Sequence, residues 1–177
     1  MVTLAMARSD QENQARVDLT AALRWANRLG FGEGICNHFS VEIPGRLGHF
    51  LINPQGLHWS EVTPGGLVVV DAAGRKVEGR HDVEPTAFFI HGAMHRSKPS
   101  AKCVMHTHMP FATTLTVVHG GRLEWASQNS LKFHGRVAYE PPLYQVLSLP
   151  VRGAAASRPQ TLGDVLRDLA GGREGRS

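Results

Sequence analysis

His106-Thr107-His108 is the segment whose residue types and spacing carry the most chemistry. Lys102 to His106 reads as a strand, and strand residues i and i+2 point to one face, about 6.5–7 Å apart at Cα. Two imidazoles so placed can converge on one cation, and His-X-His at a strand end makes half of a zinc site. Pro110 follows and ends the strand, so both rings are expected at the mouth of a sheet. In the absence of a metal the same rings would cap the strand and bind backbone. A divalent site needs at least one more protein ligand.

Other side chains offer weaker chemistry. His91 and His95 lie four apart on a predicted helix and share a face. Their segment lacks the Glu of a zinc-protease helix, so they read as one buried, hydrogen-bonded ring and one solvated ring. His38, His58, His81, His119 and His134 read as structural or exposed. Glu84, beside Pro85 where that helix opens, is the acid/base candidate. The helix dipole stabilises a carboxylate there as its anion, which favours a capping role. Gly32-Glu33-Gly34 does not join a strand to a helix, so it makes a poor nucleotide loop, and the chain has no nucleophile elbow or P-loop.

The elements that must position these residues follow from periodicity. Asp10 can cap a helix running to about Leu29, with Leu19, Leu23, Ala26 and Leu29 on one face and Gly30 at its end. Phe39, Val41 and Ile43 alternate with His38, Ser40 and Glu42, the pattern of a half-buried strand. Pro44-Gly45 turns the chain into a returning strand, His49 to Asn53. Leu67 to Val70 reads as a short buried strand, with Lys76 to Glu78 as its hairpin partner. Asp82, Pro85 and Thr86 open a helix to about Arg96. Pro110 starts another to about Val118, and Leu131 to Tyr139 reads as extended. The order predicts an α/β domain with a central mixed, largely antiparallel sheet flanked by helices.

Composition limits the rest. A chain of 177 residues suits one domain, and 42% hydrophobic with 19% charged residues is a globular composition. No apolar run reaches bilayer length, and Met1 to Asp10 lacks a signal-peptide core, so a cytoplasmic protein without membrane contact is expected. Cys36 and Cys103 match no zinc or redox spacing and read as reduced, partly buried thiols. The net charge of +4 is spread over the chain without a basic stripe, so nucleic-acid binding is not expected.

Several segments in order are familiar. Cys36-Asn37-His38-Phe39-Ser40 resembles the Gly-Asn-X-Ser segment of the class II aldolase/adducin family. Leu51-Ile52-Asn53-Pro54-Gln55-Gly56 resembles its anion-binding turn. Trp59 to Asp71 with Gly74 and Gly79, then His91, Lys98-Pro99, Val104 to His108 and Ala112-Thr113, follow at the family's spacing. The resemblance spans about residues 15–144, within an expected domain at 10–144.

That resemblance implies a single class II aldolase/adducin-like domain and a zinc-dependent aldehyde-lyase chemistry, the retro-aldol cleavage of a small sugar-phosphate-like or keto substrate. By resemblance, His106 and His108 are two of three zinc ligands. Asn37, Gly56 and Thr86 would face the substrate phosphate, and a homo-oligomer, commonly a tetramer, is implied. Two departures point to the adducin-like branch, whose alternative role is non-catalytic assembly. The family's acid/base glutamate falls at Ala87, one helical turn after Glu84. The third histidine normally follows Tyr139, but His134 is the last in this chain. Residues 145–177, rich in Arg, Gly and Ala, are expected as an atypical or truncated C-terminal tail, part of it disordered.

Overall fold

The computed structural model describes residues 8–139, without the side chains of Pro85, Thr86 and Phe88. The expected tail, 145–177, lies outside the described residues.

The first helix, α1 (Asp10–Arg28), is capped by Ser9 rather than Asp10, the Ser9 hydroxyl accepting from the Glu12 amide. Leu19, Leu23 and Ala26 form its buried stripe. Gly30, at φ +70°, turns the chain away from the helix end, a conformation that costs other residues steric strain. Five strands follow: β1 (His38–Glu42), β2 (His49–Ile52), β3 (Val68–Asp71), β4 (Lys76–Glu78) and β5 (Cys103–His106). They form one sheet in the order β4-β3-β2-β1-β5, and every pairing is antiparallel. Helix α2 (Pro85–Ser97) separates β4 from β5, and α3 (Pro110–Val117) follows β5.

Alternation along the strands sorts side chains to two covered faces. Phe39, Leu51 and Val69 pack with Leu19, Leu23, Ala26 and Trp59 on the α1 face. Phe50, Ile52, Val68 and Val70 pack with Ala87 on the α2 face. Strand β1 is therefore not half-buried as its alternation suggested. His38 and Ser40, its polar positions, are as enclosed as Phe39. Leu131 to Tyr139 also differs from the extended reading: a short helix, α4 (Gln128–Leu131), starts on a Ser127 capping box. Hydrogen-bonded turns then run through Arg136, whose amide donates to the Phe133 carbonyl. Local caps and turns there outweigh the weak strand propensity. Both Cys36 and Cys103 are exposed free thiols, not partly buried ones.

Two polar clusters are buried in the packing. Under the start of α1, the Arg16 guanidinium donates to Glu12 Oε1 at 2.9 and 3.0 Å and to the Leu67 carbonyl. Arg46 bridges Glu12 and Glu78 beside it. On the α2 face, Ser40 Oγ lies 2.7 Å from His91 Nδ1 and 2.8 Å from His95 Nε2. His91 and His95 are both buried, whereas the sequence suggested one solvated ring. Phe50 stacks on the His95 ring and closes it from water. Burial pushes His91 down to about 3 and also lowers His95, against the opposing pull of the Ala101 carbonyl on His95.

Two outcomes are expected. Glu12→Ala leaves a buried guanidinium short of its main counter-charge and should cost about 3–5 kcal/mol, read from the urea midpoint. His91 and His95 titrate lower folded than unfolded, where the ordinary value is 6.5. Below 6.5 the unfolded chain binds more protons, so stability should fall as pH drops from about 6.5 toward 3. Thermal melting at pH 7 and pH 5 checks this, and an unchanged midpoint would contradict it.

Candidate metal centre

Strand β5 ends at His106, and the next residues leave the sheet. His108 is held by its own backbone, its amide donating to the Phe31 carbonyl at 3.1 Å. This contact ties the strand end to the loop between α1 and β1. The His106 and His108 rings meet edge to face, with their Nε2 atoms 3.2 Å apart. Two zinc–nitrogen bonds of about 2.0–2.1 Å at a tetrahedral angle place their nitrogens roughly 3.4 Å apart. The convergence therefore suits two ligands of one tetrahedral ion.

A carboxylate supports one of the rings. His108 Nδ1 lies 2.8 Å from Glu33 Oε2. A carboxylate accepts, so Nδ1 carries the proton and Nε2 keeps its lone pair for a ligand, the usual support of a metal-binding histidine. Nothing in the sequence marked Glu33 for this role, since 75 residues separate it from His108. On the other ring, His106 Nδ1 is buried and has no hydrogen-bond partner among the described residues. No group of three or more His, Cys, Asp or Glu side chains is placed to hold a metal ion among the described residues. The pair therefore fits a metal as part of a ligand set.

His38, read from sequence as structural or exposed, is buried at this site. The β1–β5 register pairs His38 with His106, and their ring centroids are 4.7 Å apart. His38 Nδ1 lies 3.0 Å from His91 Nε2, and His38 Nε2 lies 3.8 Å from Glu84 Oε2. Burial, then the neighbouring His106, pushes His38 down to about 4, while Glu84 pulls it up. Burial also lowers His106. Glu84 caps α2, its carboxylate accepting from the Ala87 amide at 2.7 Å. The capping reading and proximity to the candidate centre thus hold together. Ala87, where the resemblance places a glutamate, is buried against Phe50, Ile52, Val68 and Val70.

The proposed substrate-facing residues divide. Asn37 is buried, and its Oδ1 accepts from the Glu33 amide. Its Nδ2 is a buried donor without a partner among the described residues. Asn53 fixes the same corner, donating to the Asn37 carbonyl and accepting from the Phe39 amide. Gly56 sits in an exposed turn at φ +79°, tied to the approach to α2 by a Gln55 amide bond to the Asp82 carbonyl. Thr86 opens α2, and its side chain lies outside the described residues.

Comparison with known proteins supplies the family. The model of the class II aldolase and adducin N-terminal domain matches residues 17–160. An aldolase II superfamily protein from Pseudomonas syringae is 37% identical, with a TM-score of 0.71 over 76% of this chain and 56% of its own. An L-fuculose 1-phosphate aldolase from Glaciozyma antarctica is 28% identical, with a TM-score of 0.67 over 70% of this chain and 51% of its own. Alpha-adducin of Rattus norvegicus is 34% identical over 72% of this chain and 18% of its own. The chain spans about half the length of the bacterial relatives it matches. No described helix is long and apolar enough to cross a membrane. With the antiparallel sheet between α1 and α2, and the histidine pair at its strand end, the chain belongs to the class II aldolase and adducin family.

Proposed function

We propose that this chain is the zinc-binding part of an aldehyde-lyase that cleaves a small phosphorylated or keto carbohydrate by a retro-aldol step. The observation that carries this reading is the convergence of His106 and His108 Nε2 atoms, with Glu33 holding the His108 tautomer. A zinc ion held by His106 and His108 would polarise a carbonyl or enediolate oxygen. Glu33 orients His108 for that task. Asn37 offers a buried amide donor without a partner among the described residues, which suits an anionic substrate oxygen. Gly56 and Thr86 complete the proposed phosphate side. Glu84 is the carboxylate assigned to proton transfer, since Ala87 cannot do it. The similarity to an L-fuculose 1-phosphate aldolase supports a sugar-phosphate substrate. A cytoplasmic homo-oligomer, commonly a tetramer, is proposed with it.

A second reading has its own support. Ala87 fills the glutamate's place with a core methyl group, and alpha-adducin is as similar to this chain as several aldolases. A non-catalytic, adducin-like assembly module, in full or truncated form, is therefore the alternative.

Elemental analysis of the purified chain separates these readings at their first step. Near-stoichiometric zinc is expected, lost in the His106→Ala, His108→Ala double variant. Glu33→Gln should weaken zinc affinity by about 10–100-fold, measured by competition with a chromophoric chelator. Absence of zinc from the native chain would overturn the lyase reading. Where zinc is bound, Glu84→Gln should slow cleavage of L-fuculose 1-phosphate by about 10²–10⁴-fold at unchanged zinc content. Zinc without any cleavage in the native chain would favour the assembly reading.

A further inference from the structure

Behind the candidate centre runs a line of buried hydrogen-bonding groups that neither ligand binding nor capping explains. It links the Ala101 carbonyl, His95, Ser40, His91 and His38. The contacts are 2.9 Å from the Ala101 oxygen to His95 Nδ1, 2.8 Å from His95 Nε2 to Ser40 Oγ, 2.7 Å from Ser40 Oγ to His91 Nδ1, and 3.0 Å from His91 Nε2 to His38 Nδ1. All three rings are buried.

The direction of every bond in this line follows from its first member. A carbonyl oxygen only accepts, so His95 Nδ1 must carry a proton. A neutral His95 then has a bare Nε2, which must accept, and the Ser40 hydroxyl supplies its one hydrogen there. Ser40 Oγ can then only accept from the other side, so His91 Nδ1 carries a proton. His91 Nε2 is bare in turn and accepts from His38 Nδ1–H. The last ring is left with a bare Nε2. All three rings are buried, and burial disfavours the charged form of an imidazole, so the assignment is that of neutral rings.

We infer that the Ala101 carbonyl, acting through His95, Ser40 and His91, fixes His38 as its Nδ1–H tautomer and turns a bare Nε2 toward Glu84 beside the His106/His108 pair. That nitrogen can accept a hydrogen bond and cannot donate one. Glu84 Oε2, also an acceptor, lies 3.8 Å away, beyond direct hydrogen-bond reach. A group entering between them is selected for its proton: a substrate hydroxyl fits, and a phosphate or carboxylate oxygen does not. His38 is thus a specificity-determining residue for the hydroxyl-bearing part of a small ligand. Its use by a substrate rests on the lyase reading, whereas the tautomer stands on the geometry of the buried line alone.

Long-range proton–nitrogen correlation of the imidazole side chains in the ¹⁵N-labelled full chain at pH 7 tests the inference. His38, His91 and His95 should each show a protonated Nδ1 and an unprotonated Nε2. In Ser40→Ala, His95 should keep this form under the Ala101 carbonyl, while His38 loses it. A native His38 bearing a proton on Nε2, alone or on both nitrogens, would overturn the inference. So would an unchanged His38 tautomer in folded Ser40→Ala. If that variant does not fold, the native spectrum decides. A chain that takes up no zinc yet shows the common tautomer would refute the lyase reading and uphold this one. Zinc uptake with Nε2–H on His38 would do the reverse.

Discussion

The structure turns on a constraint at β1: a strand with a polar face has been covered on both sides. Its apolar positions meet α1, and His38 and Ser40 are buried against α2. A buried polar group without a partner costs about 1–3 kcal/mol, so α2 must present complementary groups at this spot. His91 and His95, one helical turn apart, do so by flanking Ser40 from two sides. The packing of α2 on the sheet is therefore set by hydrogen-bond matching as well as by the apolar contacts of Ala87. The same requirement fixes the rotation of α2 that brings Glu84, its N-cap, beside His38.

The loop between α1 and β1 is the second support. Asn37 lies at its centre: its carbonyl takes bonds from Asn53 and the Trp59 indole, and its side chain holds the Glu33 amide. A Cβ on Gly32 would sit 3.3 Å from the Trp59 ring, so the loop passes tightly over that aromatic. The loop then reaches β5 twice, through the Phe31 carbonyl to the His108 amide and through Glu33 to the His108 ring. Residues far apart in sequence thus share one rigid corner. This corner determines which nitrogen of His108 is free.

Much of this was legible in the sequence wherever the signal was local. The stripe of Leu19, Leu23 and Ala26, the run Leu67 to Val70, and Pro85 and Pro110 at helix starts placed the elements to within a few residues. The His-X-His spacing brought His106 and His108 to one point. Sequence reading failed where partners came from elsewhere. His38 looked like an ordinary polar position on a half-exposed strand because nothing local reveals that α2 covers it. One ring of the His91/His95 pair looked solvated because the Phe50 ring that stacks on His95 lies on another element. Glu33 looked like a loop residue, and only the return of β5 along β1 gives it a purpose. At Leu131 to Tyr139 the error was different. The residue types favoured a strand, but the Ser127 cap and the turns after it satisfied the backbone locally.

The position of Glu84 follows from these same constraints. Ala87, where the resemblance places a glutamate, packs its methyl group with Phe50, Ile52, Val68 and Val70. The chain instead puts its carboxylate one turn earlier, at the helix N-terminus, where the dipole and the Ala87 amide stabilise the anion. Its neighbour is the buried His38, whose Nε2 lies 3.8 Å from the Glu84 carboxylate. The carboxylate that capping fixes at the start of α2 is therefore the same one that faces the buried imidazole line.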